Sequence, residues 1–174
     1  MIRVYEFDWT EMTETQWLTN MNDGYIAVYG EASSELCKLI HMQAEKWARM
    51  PQSRPRDILI NIIDCQSGAP DSWPLSLKLS ELGCRTRAYT NAGSAGLFLF
   101  MSGDERTGTK ESRFIFHGNL YRWMKSGPTD EERAEWFSSR TNMSYDWWLE
   151  KANLDGTFEF GYEEAIEFGV VTSF

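Results

Sequence analysis

The sequence is poor in the residues that bind metals, cross-link chains or neutralise phosphates. It has only two histidines and three cysteines, Cys37, Cys65 and Cys84, in 174 residues. No CxxC pair occurs, so a structural zinc site is not expected. Three widely spaced cysteines also argue against a secreted disulfide framework. The start, Met1-Ile2-Arg3-Val4-Tyr5-Glu6-Phe7-Asp8, places acids where a signal peptide needs basic residues and then an apolar stretch. A reducing, cytoplasmic setting is therefore expected. No window approaches the roughly eighteen consecutive apolar residues of a membrane helix, so membrane insertion is not expected. Basic residues number 17 against 26 acidic ones, for a formal charge of -9, and form no long run. Nucleic acid is thus an unexpected partner. What the chain does have is 42% hydrophobic residues, enough for one core and short for two, with 14% aromatic residues that exclude wholesale disorder.

Along the chain, the turn Asn22-Asp23-Gly24 precedes a strand at Tyr25 to Tyr29. Ser33 and Ser34 can cap a helix with Leu36, Leu39, Ile40, Ala44 and Trp47 on one face, stopped by Pro51. Asp57 to Ile63 is a nearly continuous β-branched run, the mark of a strand buried on both faces. A loop over Asp64 to Asp71 follows, then a leucine-rich segment closed by Gly83, a strand over Thr86 to Thr90, and small residues leading into the apolar helix Leu97 to Met101. A polar turn from Gly103 to Ser112 precedes a strand, Arg113 to Phe116, that delivers His117 at its end. Helices are expected over about Thr129 to Ser138 and Tyr162 to Phe168, with a short strand at Val170-Val171. The repeated unit is strand, strand, helix.

Two residues in this frame can carry chemistry. Ser94 is flanked by Gly93, Ala95 and Gly96, so its hydroxyl can stand exposed on a tight turn, with the Ala95 amide at the start of the next helix free to face an oxyanion. It can equally be an ordinary turn residue. His117, at a strand end, can act as a general base toward Ser94 or can be satisfied by local hydrogen bonds. His41, with Glu45 four residues on, reads as an exposed helix histidine.

The stretch Ala92-Gly93-Ser94-Ala95-Gly96-Leu97-Phe98-Leu99, followed by Ser112-Arg113-Phe114-Ile115-Phe116-His117, resembles the serine and histidine motifs of the Clp protease proteolytic subunit. Asp57-Ile58-Leu59-Ile60-Asn61 is similar to an upstream strand of that family, and Tyr162-Glu163-Glu164-Ala165-Ile166-Glu167-Phe168-Gly169-Val170-Val171 to its closing signature. The resemblance covers roughly residues 24–174, leaving 1–23 as an N-terminal segment. It implies a single-domain α/β spiral of strand-strand-helix units, as in the Clp protease and crotonase superfamily. It also implies a serine endopeptidase acting on unfolded polypeptides inside a homo-oligomeric ring, for which a heptamer is one candidate size, fed by an AAA+ unfoldase. The implied triad is Ser94, His117 and Asp155. Counting backward from Ala165 instead puts Thr157 at the acid's place, and Asp155-Gly156 can also be a plain turn. No metal or organic cofactor is implied.

The chain departs from the family in two places. Where the family has Ser-Pro-Gly-Gly-Ser, this chain reads Ile62-Ile63-Asp64-Cys65-Gln66-Ser67-Gly68. An ungapped reading then assigns the second oxyanion amide, beside that of Ala95, to Asp64, and a local shift assigns it to Gly68. A carboxylate at the hole would oppose the developing charge, so a catalytically weak or structural ring subunit is the alternative function. Between His117 and Thr141 the family's long handle helix is shortened and interrupted by Gly127-Pro128, which places ring stacking in doubt. Trp123 and Trp136 lie in this altered region and Trp147 and Trp148 just after it, as contact residues or as core.

Overall fold

The computed structural model describes residues 24–50, 58–120 and 126–174. Its architecture is organised around β2 (Leu59–Gly68), whose Ile60, Ile62 and Cys65 are completely buried. β1 (Tyr25–Ala32) runs parallel along one side, from Tyr25 opposite Leu59 to Ala32 opposite Gly68. Two short strands divide the other side. β3 (Arg85–Ala88) pairs with Leu59 to Ile62, and β4 (Asn91–Gly93) pairs at Cys65. The division then repeats, because β5 (Glu105–Thr107) pairs in parallel with β3, and β6 (Arg113–His117) with β4. Each pass of the chain adds one strand to each of two branches, which is the expected α/β spiral of strand-strand-helix units. β7 (Thr157–Gly161) closes the second branch, antiparallel to β6.

The helices follow local signals. α1 (Ser34–Arg49) is capped by the Ser33 hydroxyl, which accepts from the Leu36 amide at 3.2 Å, a contact worth about 1 kcal/mol. α2 (Ser72–Leu82) ends at Gly83 with a φ of 72°, a left-handed stop that costs glycine nothing. α3 (Ala95–Met101) is apolar on every side and every residue of it is buried. α4 (Asp130–Arg140) begins at a capping box in which Thr129 and Glu132 satisfy each other's backbone amides. α5 (Tyr145–Ala152) is capped by Ser144, and α6 (Tyr162–Glu167) completes the described chain. Among the described residues no helix is long and apolar enough to cross a membrane.

The structure corrects several sequence expectations. Asp64 to Gly68 is not a loop but the second half of β2, because it pairs with both β1 and β4. The polar stretch after Gly103 contains β5, whose Arg106 is 3% exposed. That guanidinium donates to the carbonyls of Gly103, Val170, Gly169 and Arg140, and burial beside Arg140 pushes its pKa down to about 10. Val170-Val171 is therefore not a strand: both amides donate to the Ala165 carbonyl, Arg106 holds the Val170 carbonyl, and the following residues bond to the Arg106 carbonyl and form a bridge between Thr107 and Ser173. α5 and β7 were not expected as elements. Trp148 is fully buried, and Trp136 and Trp147 pack edge-on against Phe137 and Phe158 respectively, so these three serve the core. Trp123 lies outside the described residues.

Candidate active site

Ser94 stands between β4 and α3 with φ 51° and ψ -119°. Only one other described non-glycine residue, Asn119 at φ 49°, shares a positive φ. Such a backbone costs about 1–3 kcal/mol and persists only where its surroundings enforce it. Here the Ser94 amide donates to the Ile115 carbonyl at 3.2 Å, and its own carbonyl accepts from the Phe98 amide at 3.1 Å. The small neighbours are required from below as well. A Cβ on Gly96 would lie 2.3 Å from the Cys65 carbonyl oxygen, and one on Gly68 would lie 2.4 Å from the Ala95 Cβ. Glycine at these points lets α3 settle directly on β2, which lifts Ser94 to the surface at the head of the helix.

His117 ends β6, and the next two residues bind it to the far side of the site. The Gly118 amide donates to the Gly156 carbonyl at 2.8 Å, and the Asn119 amide to the Ala152 carbonyl at 2.6 Å. These two bonds bracket the short segment that carries Asp155. Gly118 allows the approach, since a Cβ there would fall 2.1 Å from the Leu154 carbonyl oxygen. His117 then faces Thr157 across the β6–β7 ladder. Ser94, His117, Asp155 and Thr157 all line one open cavity of about 430 Å³, floored by Gly118 and Leu120. Among the described residues no hydrogen bond joins His117 to Ser94 or to Asp155.

The electrostatics favour a neutral imidazole. Burial is the main cause that lowers the pKa of His117, the Arg133 charge adds to it, and Glu159 opposes both. Arg133, on α4, is completely buried and donates to the His117 carbonyl, a partner that the sequence reading missed. Its only sequence signal was its place in the capped first turn of α4, and nothing local reveals that this turn sits behind β6. Cysteine chemistry is disfavoured, because burial pushes the Cys37 and Cys84 thiols up to about 11 and raises that of Cys65. Among the described residues no group of three or more His, Cys, Asp or Glu side chains is placed to hold a metal. His41 lies 3.7 Å from Glu45 on the half-exposed face of α1, away from this cavity.

The register separates the two oxyanion assignments. Cys65 pairs with Ala92, so Asp64 is level with Asn91, whose amide donates to its carboxylate at 3.1 Å. Ser94 follows three residues later, about 10 Å along the strand direction. Gly68, by contrast, packs directly against Ala95.

No family model and no curated protein matches the sequence. Solved structures do match. A point mutant of ClpP1 from Listeria monocytogenes aligns with a TM-score of 0.65 at 16% identity, over 88% of this chain and 92% of that one. A peptidase from Plasmodium falciparum aligns with a TM-score of 0.69 at 13% identity, over 89% of this chain and 96% of that one. With most of both chains aligned at these TM-scores, the chain has the ClpP-like α/β fold.

Proposed function

We propose that the chain is a Clp-type serine endopeptidase subunit that hydrolyses peptide bonds of unfolded polypeptides. The observation that carries this reading is the convergence of Ser94, on its strained turn, with His117 and Asp155 around one cavity. Neutral His117 takes the hydroxyl proton as Ser94 Oγ bonds to the scissile carbonyl carbon, and the carbonyl π pair moves onto oxygen. The amides of Ala95 and Gly68 stabilise that oxyanion, and the contact between these residues supports their pairing in one hole. The imidazolium returns its proton to the leaving amine as the C–N bond breaks. Water then resolves the acyl ester by the same steps in reverse. Asp155 holds His117 in the tautomer that presents its other nitrogen to Ser94. The cycle uses no metal or organic cofactor.

By its resemblance to the Clp proteolytic subunit, the chain works as a homo-oligomeric ring served by an AAA+ unfoldase. A second reading, a catalytically weak or structural ring subunit, draws on the absence, among the described residues, of hydrogen bonds from His117 to Ser94 and to Asp155. Apo geometry is often looser than that of the substrate complex, so the peptidase reading is preferred. A fluorophosphonate probe decides between them. Labelling mapped to Ser94 is expected, and an unlabelled, correctly assembled protein would establish the structural reading.

A further inference from the structure

Arg133 is the one completely buried charged side chain among the described residues with a place beside the cavity. Its Nη1 donates to the His117 carbonyl, its Nη2 to Asp130 Oδ1 at 2.6 Å, and its guanidinium carbon lies 4.7 Å from the centre of the Phe116 ring. Its Nε has no hydrogen-bond partner among the described residues. An apolar residue of similar volume would fill such a position at less cost, because burying a charge that is only partly hydrogen-bonded opposes folding. Besides the Asp130 ion pair, the contacts that offset this cost fall on the last two residues of β6, Phe116 and His117. Asp130 lies three residues earlier on the same helix, so the capped first turn of α4 delivers the cation and its counter-charge as one unit.

We propose that Arg133, aligned by Asp130, is a positioning residue for His117, locking the histidine backbone and keeping a fixed positive charge behind its ring. The proposal rests on the reading of His117 as the general base. Other charged groups face the histidine from the remaining side: Glu159 on β7 and Asp155 at the foot of that strand, both open to solvent. On α5, Lys151 is engaged by Glu150 and by the Trp147 and Phe158 rings. Among the described residues Arg133 is thus the buried charge that opposes the imidazolium, and it adds to the burial of the ring in favouring the base form. Solvent screens it less than it screens Glu159.

The test is an NMR titration of the His117 ring in the full chain, assigned against His117→Gln, with the peptide-hydrolysis pH profile recorded beside it. In Arg133→Met the His117 midpoint is expected to move up, toward the ordinary imidazole range. In Asp130→Asn the carboxamide oxygen can still accept from Nη2 while the counter-charge is gone, so the midpoint moves down. Arg133→Lys keeps the charge and the low midpoint. Opposite shifts in the first two variants are the signature of an electrostatic role that a packing residue lacks. A His117 midpoint that stays at the wild-type value in both overturns the proposal. Should Arg133→Met fail to fold, Asp130→Asn decides alone, because Asp130 sits at the protein surface side of the pair. If the midpoints shift as expected and no variant, wild type included, hydrolyses peptide, the positioning stands and the peptidase reading falls.

Discussion

The backbone N–H of Gly118 donates to the carbonyl of Gly156 at 2.8 Å, which ties the residue after His117 to the residue after Asp155. The side chains proposed as general base and as its orienting acid, His117 and Asp155, come from segments about forty residues apart, yet this main-chain bond and the β6–β7 ladder beside it bring those segments together. The geometry is therefore expected to survive substitutions that change only the chemistry and to fail when the backbone is moved.

Ser94→Ala removes the nucleophile with a minimal change in packing. Turnover of a fluorogenic peptide should fall about a thousandfold or more while assembly and melting temperature stay near wild type. His117→Ala should lose a similar amount, and the double variant should be little worse than either single one, since the two act as a unit. A double variant far slower than both would mean that they act independently.

Asp155→Asn keeps the shape of the carboxylate and loses its charge, so a loss of roughly a hundredfold to ten-thousandfold is expected in kcat with the fold intact. Thr157→Val, at the other position that the closing signature allows, should change the rate by less than about twofold, within the range of ordinary surface substitutions. The reverse ranking would transfer the orienting role to Thr157.

Gly118→Ala forces a Cβ to within 2.1 Å of the Leu154 carbonyl oxygen, a backbone atom that cannot turn aside. The segment bearing Asp155 must move away from β6. Stability should drop by about 1–3 kcal/mol in urea unfolding, and activity should drop further than that loss explains at temperatures where the variant is fully folded. Unchanged kinetics in the folded variant would show that the Gly118–Gly156 bond is not what spaces the pair.

In sequence only residues 118–129 separate β6 from α4, which begins at a capping box on Thr129. If the chain assembles as proposed, this shortened handle sequence buries less area between rings, and a single ring or a weakly paired double ring is expected, dissociating on dilution. The burial of Trp148, together with the packing of Trp136 and Trp147 into this chain's own core, leaves those three less able to supply a substitute contact. Light scattering across a dilution series checks this, and a double-ring mass that persists at low concentration and high salt would contradict it.

The elements legible in the sequence are those with strong local signals. Helix α1 has its serine cap and apolar stripe, β2 its isoleucine run, α3 its unbroken apolar stretch and α4 its capping box. Of the elements that were missed, α5 has a serine cap at Ser144 but is only eight residues long, and the two strands are weaker still. β5 is three residues long and holds an arginine, which reads as a turn until four carbonyls are found around it. β7 alternates Thr157, Phe158, Glu159, Phe160 and Gly161 in proper strand fashion, but the expected turn at Asp155-Gly156 and the nearby closing helix left it no apparent partner.

What the sequence determined by itself is the chemistry on offer: a serine among small residues, a histidine at a strand end, an aspartate before a closing helix, and a composition without metal-binding clusters. Those are properties of residue type and local spacing, and local physics is enough to express them. Tertiary structure decided which groups meet. The register of β2 against β4 moved Asp64 about 10 Å from the level of Ser94 and left Gly68 against Ala95. The packing of α4 behind β6 brought a buried arginine to the carbonyl of His117. Both depend on long-range pairing, in which the energy of one residue is set by partners tens of positions away, and no window of sequence contains that information.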